Sequence, residues 1–165
     1  MPYPELTAYF TAEKHGGLLL VALAGASLAL AGFLFVTKSL FSAMAWPVLV
    51  LGGIELVIGL TVASRTASQI AEIADGLQSK RTVTITAEIE RMARINGTFV
   101  LIKKVEIALI ALSLLFVIVK PAPETLGAIG LGILLQCAVL LAFDTFAHHR
   151  ALHYVEWLIA LPPRG

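Results

Sequence analysis

The chain has 165 residues, 58% hydrophobic and 14% charged, with a net charge of +1 and a mean hydropathy of +0.89. It is too apolar for an ordinary soluble domain and lacks the unmatched basic cluster of a nucleic-acid-binding surface. Cys137 is the only cysteine and sits inside an apolar run, so neither an internal disulfide nor a thiolate metal site is available.

In chain order, residues 2–14 mix aromatics with acids, and Leu6, Tyr9, Phe10 and His15 fall roughly on one helical face. That pattern predicts a short helix on a membrane surface. The apolar run 17–36 is longer than the core of a secretory leader and has only Lys14 before it, so the expectation is an uncleaved spanning helix. Within it, Ala22, Gly25, Ala29 and Gly32 form a small-residue stripe suited to close helix contact. A short turn at 38–42 implies that the second span, 44–63, returns antiparallel to the first. Pro47 lies in its first turn, where a missing N–H does least harm, and Glu55 lies near its middle.

Residues 64–97 form a polar connector with helical patterns at 67–77 and 85–95, separated by Gly76, Ser79 and a strand-like 82–86. Its charges, among them Glu72, Asp75, Glu88, Glu90, Arg91 and Arg94, read as a solvated face. The third run, 98–119, carries Lys103, Lys104 and Glu106, and Lys120, Pro121 and Pro123 close it. The fourth, 125–146, holds Gln136 and Asp144, and 147–161 follows as an interfacial helix with Trp157 at headgroup level.

The expected fold is therefore an all-α, polytopic membrane four-helix bundle: two antiparallel helical hairpins with short cytoplasmic surface helices, in a single membrane domain. Ten of the twelve Lys and Arg residues, Lys14 to Arg164, fall on one side of these spans, and only Lys38 and Lys120 on the other. That bias places both termini and the connector in the cytoplasm. The halves also resemble each other, with Glu55 and Gln136 in matching places.

Glu55, Lys103, Lys104, Glu106 and Gln136 form the candidate intramembrane polar cluster. Counted from the cytoplasmic ends, Glu55, Glu106 and Gln136 lie ~12–15 Å deep. Charges at such depth are costly and need partners or water. Glu55 is expected to face the bundle interior, protonated or paired with Lys104. One reading is a proton or ion path; the other is a polar clamp, with Lys103 and Lys104 snorkelling to the headgroups and Glu55 hydrogen-bonded to Gln136 or a lysine. Asp144, His148, His149 and His153 form a second cluster at the cytoplasmic edge. His149 and His153 are four apart with Glu156 nearby, a spacing compatible with a metal or haem but not specific to one. No metal or cofactor is assigned. No phosphate loop, nucleophile elbow or zincin helix is present.

The string Glu88-Ile89-Glu90-Arg91-Met92, then Lys104-Val105-Glu106-Ile107, Gln136, Asp144 and Arg150, resembles small uncharacterised four-span bacterial inner-membrane proteins. Proteins of this size and type include immunity proteins against membrane-acting toxins. The resemblance itself implies no established activity, and immunity enters only as an analogy; the expectation is a non-enzymatic protein of the bacterial inner membrane that binds another membrane component or a toxin, with homo-oligomers compatible and no nucleic acid. The alternative is a small proton- or ion-coupled transporter or channel subunit working through Glu55, Lys104 and Glu106. A haem or quinone protein using His149 and His153 is the third.

Overall fold

The computed structural model describes residues 3–37, 41–118 and 123–162. These form helices α1 (Pro4–Thr37), α2 (Ala45–Ser79), α3 (Arg81–Ile118) and α4 (Glu124–Ala160), with a short 3-10 turn at Ser42–Met44 before α2. The expected turn at 38–42 and the Lys120–Pro121 break fall largely at 38–40 and 119–122, outside the described residues.

The arrangement is all-α, with α1 packed on α2 and α3 on α4 as two hairpin-like pairs. Pairing is antiparallel. Along α1, Gly17 meets Gly59 and Ser27 meets Gly52, while Ala31 and Leu34 cluster with Ala45 and Val48. Along α4, Gly130 meets Ser113, His148 meets Phe99 and Tyr154 meets Glu88. Helix α4 also packs on α1, on α2 and on the 3-10 turn, so it joins the pairs. At its start, Gly132 lies so close to Pro47 and Met44 that an added Cβ would stand 2.7 Å from the proline ring.

Three helical segments, Pro4–Thr37, Ser42–Ser79 and Glu124–Ala160, are long and apolar enough to cross a membrane. In α3, Lys103, Lys104 and Glu106 interrupt the apolar stretch. Each helix of 34 to 38 residues is ~51–57 Å long at 1.5 Å per residue, against ~30 Å of hydrocarbon. The surplus corrects the expectation of separate surface helices. Residues 4–14 continue unbroken into the first apolar run, 64–79 extend α2, 81–97 begin α3, and 147–160 complete α4. A helix continuous with a span cannot lie flat beside it.

These four polar-end segments converge into a bundle of their own. Its core is Leu6, Phe10, Ile73, Leu77, Met92, Ala151, Tyr154 and Leu158. Trp157 joins this core through Tyr3 and Tyr154, at 6.4 and 5.6 Å between ring centres. The strand-like 82–86 is helical: packing of Ile85 against this core overrides the local β preference, and the Thr84 and Thr86 hydroxyls donate to the carbonyls of Lys80 and Thr82 at 3.1 Å. Only Lys80 separates α2 from α3, and Gly76 permits that corner: a Cβ there would come 2.5 Å from Thr84 Oγ1.

The small-residue stripe is also corrected. Ala22, Gly25, Ala29 and Gly32 are exposed, with nothing within 4 Å of a Cβ at either glycine. Gly17, Leu20, Ala24, Ser27, Ala31 and Leu34 are the buried stripe. A Cβ at Gly59 would stand 2.7 Å from the Gly17 carbonyl oxygen, whereas at Gly53 it would meet nothing. Gly59→Ala should therefore force the helices apart and cost about 1–3 kcal/mol, while Gly53→Ala should be neutral or stabilising through helix propensity. Thermal denaturation in detergent checks this; equal effects would contradict the close crossing.

Candidate functional site

The buried stripe of α1 and the inner faces of α2 and α4 bring three polar side chains together among apolar and small residues. Gln136 Nε2 donates to Glu55 Oε1 at 3.3 Å and to Ser27 Oγ at 3.1 Å, and the Ser27 hydroxyl donates to Gln136 Oε1 at 3.2 Å. Glu55 is 2% exposed and Gln136 4%. Such burial is tolerable because the amide satisfies groups on two helices. Glu55 Oε2, however, has no donor among the described residues.

Glu55 thus faces the interior, as expected, and of the two partners the clamp reading allows it, Gln136 or a lysine, it is bonded to Gln136. Lys104 is exposed, since it lies about 100° around the helix from Lys103. Glu106, 5% exposed, does not join Glu55 and Gln136 directly. Its carboxyl lies at hydrogen-bonding range of Asp144, with Lys103 acting on both acids. The single polar layer expected from equal depths is two groups, because Asp144 sits two turns along α4 from Gln136. A hydrogen bond between two carboxyl groups requires that one carry a proton.

The edge cluster divides as well. Lys103 Nζ donates to His148 Nδ1 at 2.7 Å, and the His148 ring stacks on Phe99 at 5.4 Å between centres. His149 and His153 lie on an exposed face, with Nε2 atoms 3.0 Å apart and His153 Nδ1 3.1 Å from Glu156 Oε2. Among the described residues, no group of three or more His, Cys, Asp or Glu is placed to hold a metal ion.

Between α2 and α3, over α4, lies a cleft of about 450 Å³. Leu51, Ile54, Ile58 and Val62 of α2 face Leu101, Ile102, Val105 and Leu109 of α3 across it, and Glu55, Glu106, Asp144 and the Glu13–Arg150 pair also line it. Arg150 Nη2 donates to Glu13 Oε1 at 3.2 Å. Gly16 gives the guanidinium room, since a Cβ there would lie 3.2 Å from Nη2. Burial pushes the Glu13 carboxyl above its usual range, opposed by Arg150.

Below the cleft, Glu88 is buried and not on a solvated face. Arg91 donates to both its oxygens at 2.7 and 2.6 Å, and the Tyr154 hydroxyl donates at 3.1 Å. The Tyr9 ring stacks on Tyr154 at 4.2 Å, and burial raises the pKa of both phenols. Glu72, Asp75, Glu90 and Arg94 are exposed, as the sequence implies. Glu13 has no role in the sequence-based expectations, and Ser27, which has no base nearby for nucleophilic catalysis, gains one only as a partner of Gln136. Ser27 was visible only as a member of the heptad-like series Gly17, Leu20, Ala24, Ser27, Ala31, which competes with the equally small Ala22 series.

No protein-family model, curated protein or solved structure matches the chain.

The His148 contact has a pH consequence. Burial and the Lys103 ammonium hold the imidazole below its ordinary value of 6.5, so the unfolded chain binds more protons there than the folded one. Stability should fall as pH drops through that value. Melting followed from about pH 7.5 to about pH 5.5 should show a steeper loss for the native chain than for His148→Gln. Parallel slopes would mean that the imidazole titrates alike in both states.

Proposed function

We propose that the chain is a non-enzymatic, four-span protein of the bacterial inner membrane that binds another membrane component in the cleft between its hairpins. The carrying observation is the cleft itself: about 450 Å³ bounded by facing apolar walls of α2 and α3, in the size range and of the character of binding sites. Its walls include exposed Ile54, Ile58, Leu101 and Val105, which would open it sideways to lipid. Protection against a membrane-acting toxin is one form such binding takes, and it rests on the resemblance alone.

Benzoylphenylalanine placed at Ile58, in the cleft, and at Gly32, on the outer face of α1, tests this in native membranes. A discrete photoadduct from position 58 and only diffuse lipid labelling from position 32 is expected. Identical diffuse labelling from both would sink the cleft as a binding site.

The topology of the proposal has α3 as the fourth crossing and both termini in the cytoplasm. It is supported by the Lys and Arg bias and by the Tyr3 and Trp157 rings, 6.4 Å apart, which bring the start of α1 beside the end of α4, an arrangement that suits an even number of crossings. A fluorescent-protein fusion at either end should therefore glow, and an alkaline phosphatase fusion should be silent. Active phosphatase at one end would overturn the orientation.

The second reading, a proton- or ion-coupled transporter, is favoured by one observation: the carboxyl groups of Glu13, Glu55, Glu106 and Asp144 all border the same cleft.

A further inference from the structure

The cleft's walls and its charges differ in character. The walls are aliphatic and aromatic, yet its lining includes four acids, Glu13, Glu55, Glu106 and Asp144, against one cation, Arg150. Arg150 is committed to Glu13. Lys103 acts on Glu106 and Asp144 but already donates to His148. Glu55 and Glu106 are each more than nine-tenths buried, and among the described residues no donor reaches Oε2 of either. Gln136 and Cys137, adjacent on α4, see Glu55 and Glu106 respectively, so the two acids approach one stretch of α4.

Carboxyl oxygens without donors, inside an apolar cleft that opens sideways, are complementary to a molecule with an apolar body and a single positive charge. We propose that the membrane component bound in the cleft is a lipophilic organic monocation, its charge held between Glu55 and the Glu106–Asp144 pair and its body between α2 and α3. This rests on the cleft being a binding site. The proton shared by Glu106 and Asp144 leaves as the cation enters, so the charge of the site is conserved. The titratable groups around that pair are Lys103 on α3, Cys137 on α4 and Glu13 on α1.

The test uses the full chain in phosphatidylcholine nanodiscs, with empty nanodiscs subtracted. Tetraphenylphosphonium and tetraphenylborate share shape and size but carry opposite charge. Equilibrium dialysis should show saturable, stoichiometric binding of the phosphonium only, with a proton released per cation in weakly buffered solution. Glu106→Gln should weaken binding at least about tenfold and abolish proton release. Asp144→Asn should do the same and serves if the first variant does not fold.

Equal binding of the borate, or phosphonium binding unaltered in both variants, overturns the cation. If such binding is nonetheless lost in Ile58→Trp, which fills the cleft, the cleft still binds and only its charge selectivity is refuted. Displacement of the phosphonium by phosphatidylethanolamine would assign the site to a lipid headgroup and likewise overturn the proposal. No saturable binding of either ion refutes the cation, and the photoadduct at position 58 then decides separately whether the cleft binds at all.

Discussion

The amide of Gln136 is the interaction on which the arrangement turns. It is a single side chain on α4 that bonds Ser27 on α1 and Glu55 on α2, so it fixes α4 against both helices of the other hairpin. In hydrocarbon the hydrophobic effect gives helices no reason to associate, since lipid tails are as apolar as leucine. What remains is close packing of small residues and the need of buried polar groups for partners. Gly17 against Gly59, Gly52 against Ser27 and Gly132 against Pro47 supply the first; Gln136 supplies the second. The same satisfaction leaves Glu55 Oε2 without a donor among the described residues, and structural and chemical roles therefore meet at one carboxyl.

The driving force lost in the apolar half is recovered in the other. The core of Leu6, Phe10, Ile73, Leu77, Met92, Ala151, Tyr154 and Leu158 lies among the polar ends of all four helices, where burial removes apolar surface from water. Glu88 with Arg91 and Tyr154 sits inside this bundle. Its bidentate pairing is worth more for orientation than for net stability, because desolvating two charges offsets most of their attraction. The protein thus has two halves held by different physics. The cleft lies where small-residue packing gives way between α2 and α3.

Much of this is legible in the sequence. Apolar runs, the Pro47 position and short turns fix four helices in two antiparallel pairs, and the polar residues at 55 and 136 announce themselves by their cost. What periodicity withheld is rotation and continuity. Both Ala22-Gly25-Ala29-Gly32 and Gly17-Ala24-Ser27-Ala31 are acceptable small stripes, and only the facing Gly52 and Gly59 select the second. The polarity of 64–97 suggested helices lying on a surface, but polarity is equally what a bundle in water requires. Threonine at 82, 84 and 86 carried a strand signature that the packing of Ile85 on the core overrides. Depth counting assumed straight spans entering at a common level, so it aligned Glu106 with Gln136 when its partner lies two turns further along α4.

The order of synthesis gives the Gln136 bridge a temporal meaning. Gln136 follows Ser27 by 109 residues and Glu55 by 81. At ~5–20 residues per second of translation, Glu55 is made ~4–16 s before the amide that binds it exists. During that interval the first hairpin holds an unanswered carboxyl and hydroxyl on its inner face. A nascent chain that stalls before α4 keeps them, at the cost of polar groups without partners. Completion of the last helix is then also the moment at which the first becomes indistinguishable from a finished one.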